Sequence, residues 1–338
     1  MRNTNPALKL FWHPAALETD VPAEQPLRVM LLGEPWVLAR LGGRIVAMVD
    51  RCPHRLVPLS AGRIVGDLLE CRYHGYRFDA RGRCVTIPAL DSQSPIPTKA
   101  CVETAPVEVR FGLVWVAPRG PLMPLLDDKH YRDPAFDTFV AGPFTTRAGA
   151  SIITDNFLDV SHFPFLHRDT FGCDDDGRPH VIVARDGGMI RQYTTRVSGA
   201  PQAGGTVEMH YEYVVAAPFS VALTLTGAAG MGLGTNVVWS FCRPETDDQT
   251  TWWIVHAYDD LAHDPALIDA AREFQTRVAA EDLEILELMD DPNVPLEQSA
   301  EVHTKGDTGT LEYRRMLCDI LSTARHPSLT LHKAETRR

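Results

Sequence analysis

Residues 50–79 read DRCPHRLVPLSAGRIVGDLLECRYHGYRFD. They carry Cys52 and His54, then Cys71 and His74, with a short apolar stretch between the pairs. Two thiolates and two imidazoles suit a structural zinc ion. They also suit a two-iron cluster in which two His replace two Cys on one iron. Zinc sites usually pair Cys with Cys and His with His along the chain. Here each segment supplies one Cys and one His, so each can reach both irons, with both Cys on one and both His on the other. That alternation, with Pro53 and Gly75 beside the ligands, favours the two-iron cluster.

The flanking sequence sets these four residues in loops of a small all-β unit. Segments VMLL, WVLARL and RIVAMVD between residues 29 and 50 are rich in Val, Ile and Leu, and Gly33-Glu34-Pro35 and Gly42-Gly43 separate them. YRFDARGRCVTI continues the pattern with a turn at Gly82. Pro-rich punctuation at SPIPTK and PRGPLMP marks a boundary near residue 120, giving domains over 1–120 and 121–338.

The second part reads differently. Residues 151–170 suggest a helix, and residues 180–260 a long antiparallel sheet with TVEMHYEYVV, FSVALTLTG, TNVVWSFC and TWWIVHAY as strands. A long helix starts at Asp264-Pro265, an N-cap followed by proline, and runs to about Asp291. A sheet covered by a helix is an α+β arrangement. The glycine-rich stretch Gly227–Gly234 joins two strand-like segments and reads as a turn, not a dinucleotide site. The last residues, KAETRR, read as a solvated tail.

A net charge of −11 over 338 residues argues against nucleic acid and anionic membranes as main partners. The N-terminal residues hold no apolar run suited to a signal peptide or a membrane span, so the expected location is the cytoplasm. Seven Cys without a signal are not a disulfide framework. Cys84, Cys101, Cys173, Cys242 and Cys318 read instead as small buried residues.

A second constellation lies in TDNFLDVSHFPFLHRDTFG, residues 154–172. Asn156, Asp159 and His162 recur every third residue, which places them on one helix face. Pro164 disturbs or restarts the helix and lets His167 return to the same point. Two His with one carboxylate and open positions form the facial triad of non-haem iron oxygenases. The long C-terminal helix offers the carboxylate. Ala271, Phe274, Val278, Ile285, Leu286 and Met289 fall on one apolar stripe, and Asp282 lies near its middle. A carboxylate there is costly unless paired or bound to metal, and an ion pair with Arg272 or Arg277 is its simpler explanation. Glu284 and Glu287 face the other way as solvated charge, with Glu281 at the edge.

Both constellations resemble one family. CPHRLVPLSAG and CRYHGYRFD are similar to the paired loops of a Rieske domain. Respiratory Rieske proteins carry an extra Cys pair near the cluster, where this chain has Leu56 and Arg72. DNFLDVSHFPFLH and EDLEILELM resemble the iron-binding motifs of ring-hydroxylating oxygenases, with Met289 where the family often has Gln. LKLFWHPAA resembles the family's opening strand. The resemblance implies an N-terminal all-β Rieske [2Fe-2S] domain and a C-terminal helix-grip catalytic domain. It implies cluster ligands Cys52, His54, Cys71 and His74, and iron ligands His162, His167 and Asp282. Asp159 is implied as the electron bridge between subunits of a homotrimer, accepting from His162 and from His74 of a neighbour.

The implied activity is that of a terminal oxygenase of the vanillate and dicamba demethylase type. Reduced nicotinamide feeds a separate ferredoxin or flavin reductase, and O2 is the co-substrate. The substrate is a small aromatic, hydroxylated or demethylated at oxygen or nitrogen. Ring dihydroxylation is the alternative within the class. A Rieske electron carrier with a ligand-binding domain and a zinc-stapled binding protein are the alternatives outside it. Leu158, Tyr211, Tyr213, Asn236, Trp239 and His256 are the candidate pocket residues, each equally readable as plain core.

Overall fold

The computed structural model describes residues 1–91, 93–172, 179–199, 206–227 and 234–325. The Gly227–Gly234 turn, Cys173 and the C-terminal tail fall wholly or mainly outside them. The chain divides into two compact units, Lys9–Leu122 and Met1–Leu8 with Met123–Arg338. The first eight residues therefore do not belong with the N-terminal domain. The Asn3 side chain explains why. Its amide donates to Thr246 O at 2.9 Å and to Thr250 Oγ1 at 2.9 Å, and its oxygen accepts from Ala150 N at 3.0 Å.

The Lys9–Leu122 unit is all β, in three antiparallel sheets. One joins β1 (His13–Leu17), β11 (Leu113–Val116) and β10 (Val107–Arg110). A second runs β2 (Leu27–Leu31), β3 (Glu34–Leu41), β4 (Arg44–Val49) and β9 (Thr104–Ala105). Its first turn is Leu32-Gly33, both at positive φ (53° and 78°), so Glu34 and Pro35 belong to the strand and not to the turn. The third sheet, β5 (Arg63–Val65), β6 (Leu68–Glu70), β7 (Arg77–Phe78) and β8 (Cys84–Thr86), carries the Cys/His loops. Val37, Met48, Leu59, Leu69 and Phe78 pack beneath Cys52 and Cys71 as one core.

The second unit is built on a seven-stranded antiparallel sheet of spatial order β12-β18-β17-β16-β15-β14-β13. Its strands are β12 (Asp137–Thr146), β13 (Ile182–Asp186), β14 (Met189–Gly199), β15 (Thr206–Ala216), β16 (Ser220–Gly227), β17 (Thr235–Thr246) and β18 (Gln249–Tyr258). Helices α1 (Ala150–Leu158), α2 (Phe163–Leu166), α3 (Pro265–Glu287) and α4 (Thr308–Arg325) accompany it. The α+β class and the helix-on-sheet plan are thus as expected. No helix among the described residues is long and apolar enough to cross a membrane.

Three expectations need correction. Asn156, Asp159 and His162 do not share a helix face, because α1 ends at Leu158. Asp159 has an extended ψ of 123°, and His162 caps α2, with Pro164 in its first turn. Ile285 and Met289 are 40% and 41% exposed, and the stripe that α3 buries runs through Ala279, Asp282 and Leu286. Of the scattered cysteines, Cys84 and Cys242 are buried but Cys101 is exposed and Cys318 half-buried.

Candidate metal centres

The two Cys/His loops fold alike. In the first, Cys52 N–H donates to Val57 O at 2.9 Å and Leu56 N–H to Cys52 O at 2.9 Å. In the second, Cys71 N–H donates to Tyr76 O at 2.8 Å and Gly75 N–H to Cys71 O at 3.0 Å. Leu56 and Gly75 therefore hold matching positions, and both take positive φ, 61° and 69°. Glycine adopts this freely, whereas a branched residue there costs about 1–2 kcal/mol. Leu56 is also 61% exposed. Leu56→Gly should therefore keep or raise the melting temperature, where an exposed Leu→Gly change elsewhere would lower it. Differential scanning fluorimetry checks this.

The loops are pinned by charge. Asp50 accepts from Ser60 N at 2.7 Å and Ser60 Oγ at 2.6 Å, and Glu70 sits between Arg63 and Arg77, 2.7 Å from each. Cys52 and Cys71 are buried, whereas His54 and His74 are exposed with ring centroids 4.4 Å apart. Tyr76 stacks on His54 at 4.7 Å. Burial and the neighbouring Cys71 sulfur push the Cys52 thiol up to about 11. A bound cation reverses that preference, since a coordinating thiol is deprotonated. Among the described residues only His162, His167 and Asp282 bring three or more such donor atoms within 4.8 Å of one another. Cys52, His54, Cys71 and His74 are thus not gathered around one ion, as a zinc staple requires. Two sulfurs inside and two imidazoles at the surface fit a two-iron cluster, which separates its ligands by type.

The second centre draws on both ends of the helical layer. His162 Nε2 and His167 Nε2 lie 3.2 Å apart, and Asp282 Oδ1 lies 3.6 Å and 3.3 Å from them. Asn156 Nδ2 donates to Asp282 Oδ1 at 2.9 Å. The outer ring nitrogens are held by carboxylates. His162 Nδ1 lies 3.3 Å from Asp159 Oδ2, and His167 Nδ1 lies 2.7 Å from Glu281 Oε2. Thr170 Oγ1 donates to the same Glu281 oxygen at 2.9 Å. Carboxylates so placed fix the tautomer and aim both Nε2 lone pairs inward. Burial lowers the His167 pKa, but Asp282 and Glu281 outweigh it and hold it above the ordinary imidazole range. Burial likewise raises Asp159, and the bonds from His162 and Ser161 outweigh it, leaving the carboxyl below its usual range. Two imidazoles and one carboxylate with room beside them suit a ferrous ion.

Glu281 is the site residue that the sequence reading left at the edge. Its signal was its place next to Asp282, one residue off the buried stripe. Glu287 is not simply solvated either, since its Oε1 accepts from Thr146 Oγ1 at 2.6 Å.

Two family descriptions match the chain: "Rieske [2Fe-2S] domain" over residues 11–106 and "Vanillate O-demethylase oxygenase C-terminal domain" over residues 146–323. Methylxanthine N3-demethylase NdmB of Pseudomonas putida is 30% identical over 98% of this chain and 92% of its own. This chain belongs to the Rieske oxygenases. Methylxanthine N1-demethylase NdmA of the same organism is 29% identical over 97% of this chain and 93% of its own. The solved structure of an NdmA variant with theobromine superposes with a TM-score of 0.84 at 28% identity, covering 99% of each chain.

In this oxygenase the sheet offers one face to the second centre. Tyr211 pairs through Leu225 with Asn236, and Tyr213 through Leu223 and Val238 with His256, so these four candidates share a face. Phe163, next to His162, lies 5.9 Å from the Tyr211 ring, and Leu158 O accepts from Gln192 Nε2 at 2.9 Å. Trp239 does not join them. It is paired with Ala222 and Val255, one register position off, and so points to the opposite face. There its Nε1–H donates to Asp128 Oδ2 at 3.2 Å.

Proposed function

We propose that this oxygenase removes a methyl group from an aromatic O-methyl or N-methyl compound. The observation that carries this is the buried convergence of His162, His167 and Asp282, with each imidazole oriented by its own carboxylate. The demethylase activities of its relatives support the reaction type. Cys52, His54, Cys71 and His74 would hold the [2Fe-2S] cluster, and His162, His167 and Asp282 the iron. When bound, the cluster passes electrons one at a time and the ferrous ion supplies reductive activation of O2.

The protein's own contribution is placement. Asp159 and Glu281 keep Nδ1–H of each imidazole occupied and Nε2 free. Asn156 holds the Asp282 carboxylate to one orientation. The shared face of β15 to β18 seats the ring so that the methyl group lies toward the histidines. The overall change consumes O2, two electrons and two protons, converting R–O–CH3 into R–OH, formaldehyde and water. The hydroxymethyl ether or amine formed first collapses by losing formaldehyde.

The electrons come from a separate flavin or ferredoxin reductase. In a cytoplasmic homotrimer, Asp159 would accept from His74 of a neighbouring copy and so join the cluster to the iron across the interface. The test is an EPR spectrum of anaerobically purified, dithionite-reduced protein, with iron and labile sulfide assayed on the same sample. An anisotropic signal of low average g, together with more iron than the cluster needs, is expected. Zinc without sulfide, and no signal, sinks the reading.

A further inference from the structure

His256 lies in the middle of β18 and is fully buried, yet neither ring nitrogen has a hydrogen-bond partner. Phe139 stacks on one side of it, at 4.9 Å, and Tyr258 lies at 6.1 Å. A buried polar group left unpaired costs about 1–3 kcal/mol. Asn236 Oδ1, on the same face and one register step away, is also buried and unpaired. The Asn236 amide bonds the Tyr258 hydroxyl, which also accepts from Gln275 Nε2 at 2.7 Å, so the orientation of Asn236 is fixed. Gln275 and Asp282 lie on the same side of α3, seven residues or about 10 Å apart along the axis. The orphaned atoms therefore stand beyond the second centre by about the length of a substituted aromatic ring.

We infer that His256 and Asn236 bind the far end of the substrate, and that this end is an uncharged donor–acceptor group such as a carboxamide or ring lactam, in preference to a carboxylate. This rests on reading the sheet face as the substrate pocket. A neutral imidazole offers one N–H and one lone pair, and Asn236 adds an acceptor. A carboxamide gives its carbonyl to the imidazole N–H and an N–H to Asn236 Oδ1. A carboxylate has only acceptors, so it leaves Asn236 Oδ1 facing another oxygen. Burial holds His256 far below the ordinary imidazole range, down to about 3, so no positive charge is available to it near neutrality.

The charged groups on the facing elements point the same way. Asp137 of β12 is tied to His263, and Arg272 of α3 covers Phe139 but pairs with Asp269 and is half exposed. Asp282 adds negative charge at the near end. Arg196, buried on the same sheet face, sits on β14, four strands from β18 and so roughly 19 Å away.

The test uses iron-loaded full-length protein under anaerobic conditions and two probes of one shape, 4-methoxybenzamide and 4-methoxybenzoate. Calorimetric titration in phosphate and in Tris gives affinity and proton uptake. The EPR signal of the nitric oxide adduct reports whether the bound probe reaches the iron. The amide should bind at least about tenfold more tightly than the benzoate, with no proton uptake near pH 7. His256→Leu should abolish the preference, while the melting temperature of the ligand-free protein holds or rises, because an unpaired polar group has been replaced by an apolar one. A merely structural His256 would instead give a fall in stability with the preference intact. His256→Gln, which keeps a donor and an acceptor, should restore part of the preference. Tighter benzoate binding with uptake of a proton, or binding of neither probe, overturns the inference. Binding that discriminates as expected but leaves the nitric oxide signal unchanged keeps the recognition by His256 and removes the demethylase reading instead.

Discussion

Asp282→Ala is expected to lose the mononuclear iron and lower turnover by about three orders of magnitude or more, equivalent to roughly 4 kcal/mol of barrier. The signal of the reduced cluster should be unchanged, because none of its four ligands is touched. The size of the effect follows from the geometry. Asp282 Oδ1 is the atom nearest to both imidazole Nε2 atoms, at 3.3 Å and 3.6 Å, and it contributes the negative charge that a ferrous ion requires. Its loss also leaves the Asn156 amide without its acceptor. Metal analysis and formaldehyde release measure the two consequences separately. Full turnover with one iron fewer would show that the chemistry lies elsewhere, and an unchanged iron content would remove Asp282 from the ligand set.

Arg314→Ala should be the most destabilising single change in the catalytic unit, by about 3–5 kcal/mol. Arg314 and Asp155 are 6% and 8% exposed, and they meet through two hydrogen bonds of 2.7 Å and 3.1 Å. Glu301 accepts from the same guanidinium. Burial pushes Asp155 up, to about 6, against the pull of Arg314. A carboxyl whose folded pKa is raised loses stability as pH rises through the interval between its unfolded and folded values. Without Arg314 that interval extends upward, so the variant's deficit should be greatest at neutral pH and shrink as pH falls toward 5. Denaturant melts at several pH values check this. The double change Asp155→Leu with Arg314→Met should be milder than the single one, because no buried charge remains. α1 also carries Asn156, so iron retention should weaken along with stability.

The parts of this molecule that could be read from the sequence are those whose chemistry is local. Cys52, His54, Cys71 and His74 could be read because residue type and spacing inside two short loops define them. Asp282 could be read because a lone carboxylate in an apolar stripe is conspicuous. His162 and His167 were paired rightly but given the wrong backbone, since one turn of helix and a capped break bring residues of similar spacing to similar places. Glu281 was passed over because its partner, His167, is distant in sequence and no periodicity reveals such a bond. Trp239 was misplaced because alternation gives its meaning only once the register with Ala222 and Val255 is known. Strand β12 escaped notice because Gly142-Pro143 and a bulge between Ala141 and Phe144 interrupt its pattern. Helix α4 did show a signal, with Tyr313, Met316, Leu317 and Ile320 all buried on one side, and it was not used.

The stitching of Asn3 into the catalytic unit makes the Lys9–Leu122 unit an insertion in that unit, not a domain that precedes it. The insertion leaves and returns at one place, since Arg119 N–H donates to Lys9 O and Leu122 N–H to Leu10 O, each at 2.9 Å. During synthesis the inserted lobe is contiguous and complete first, so it can fold and accept its cluster while the ribosome is still at work. The opening segment with Asn3 must wait for residues that emerge on the order of ten seconds later, at about 5–20 residues per second. Maturation is therefore ordered by chain connectivity: the electron-carrying lobe is finished before the pocket that can activate oxygen exists.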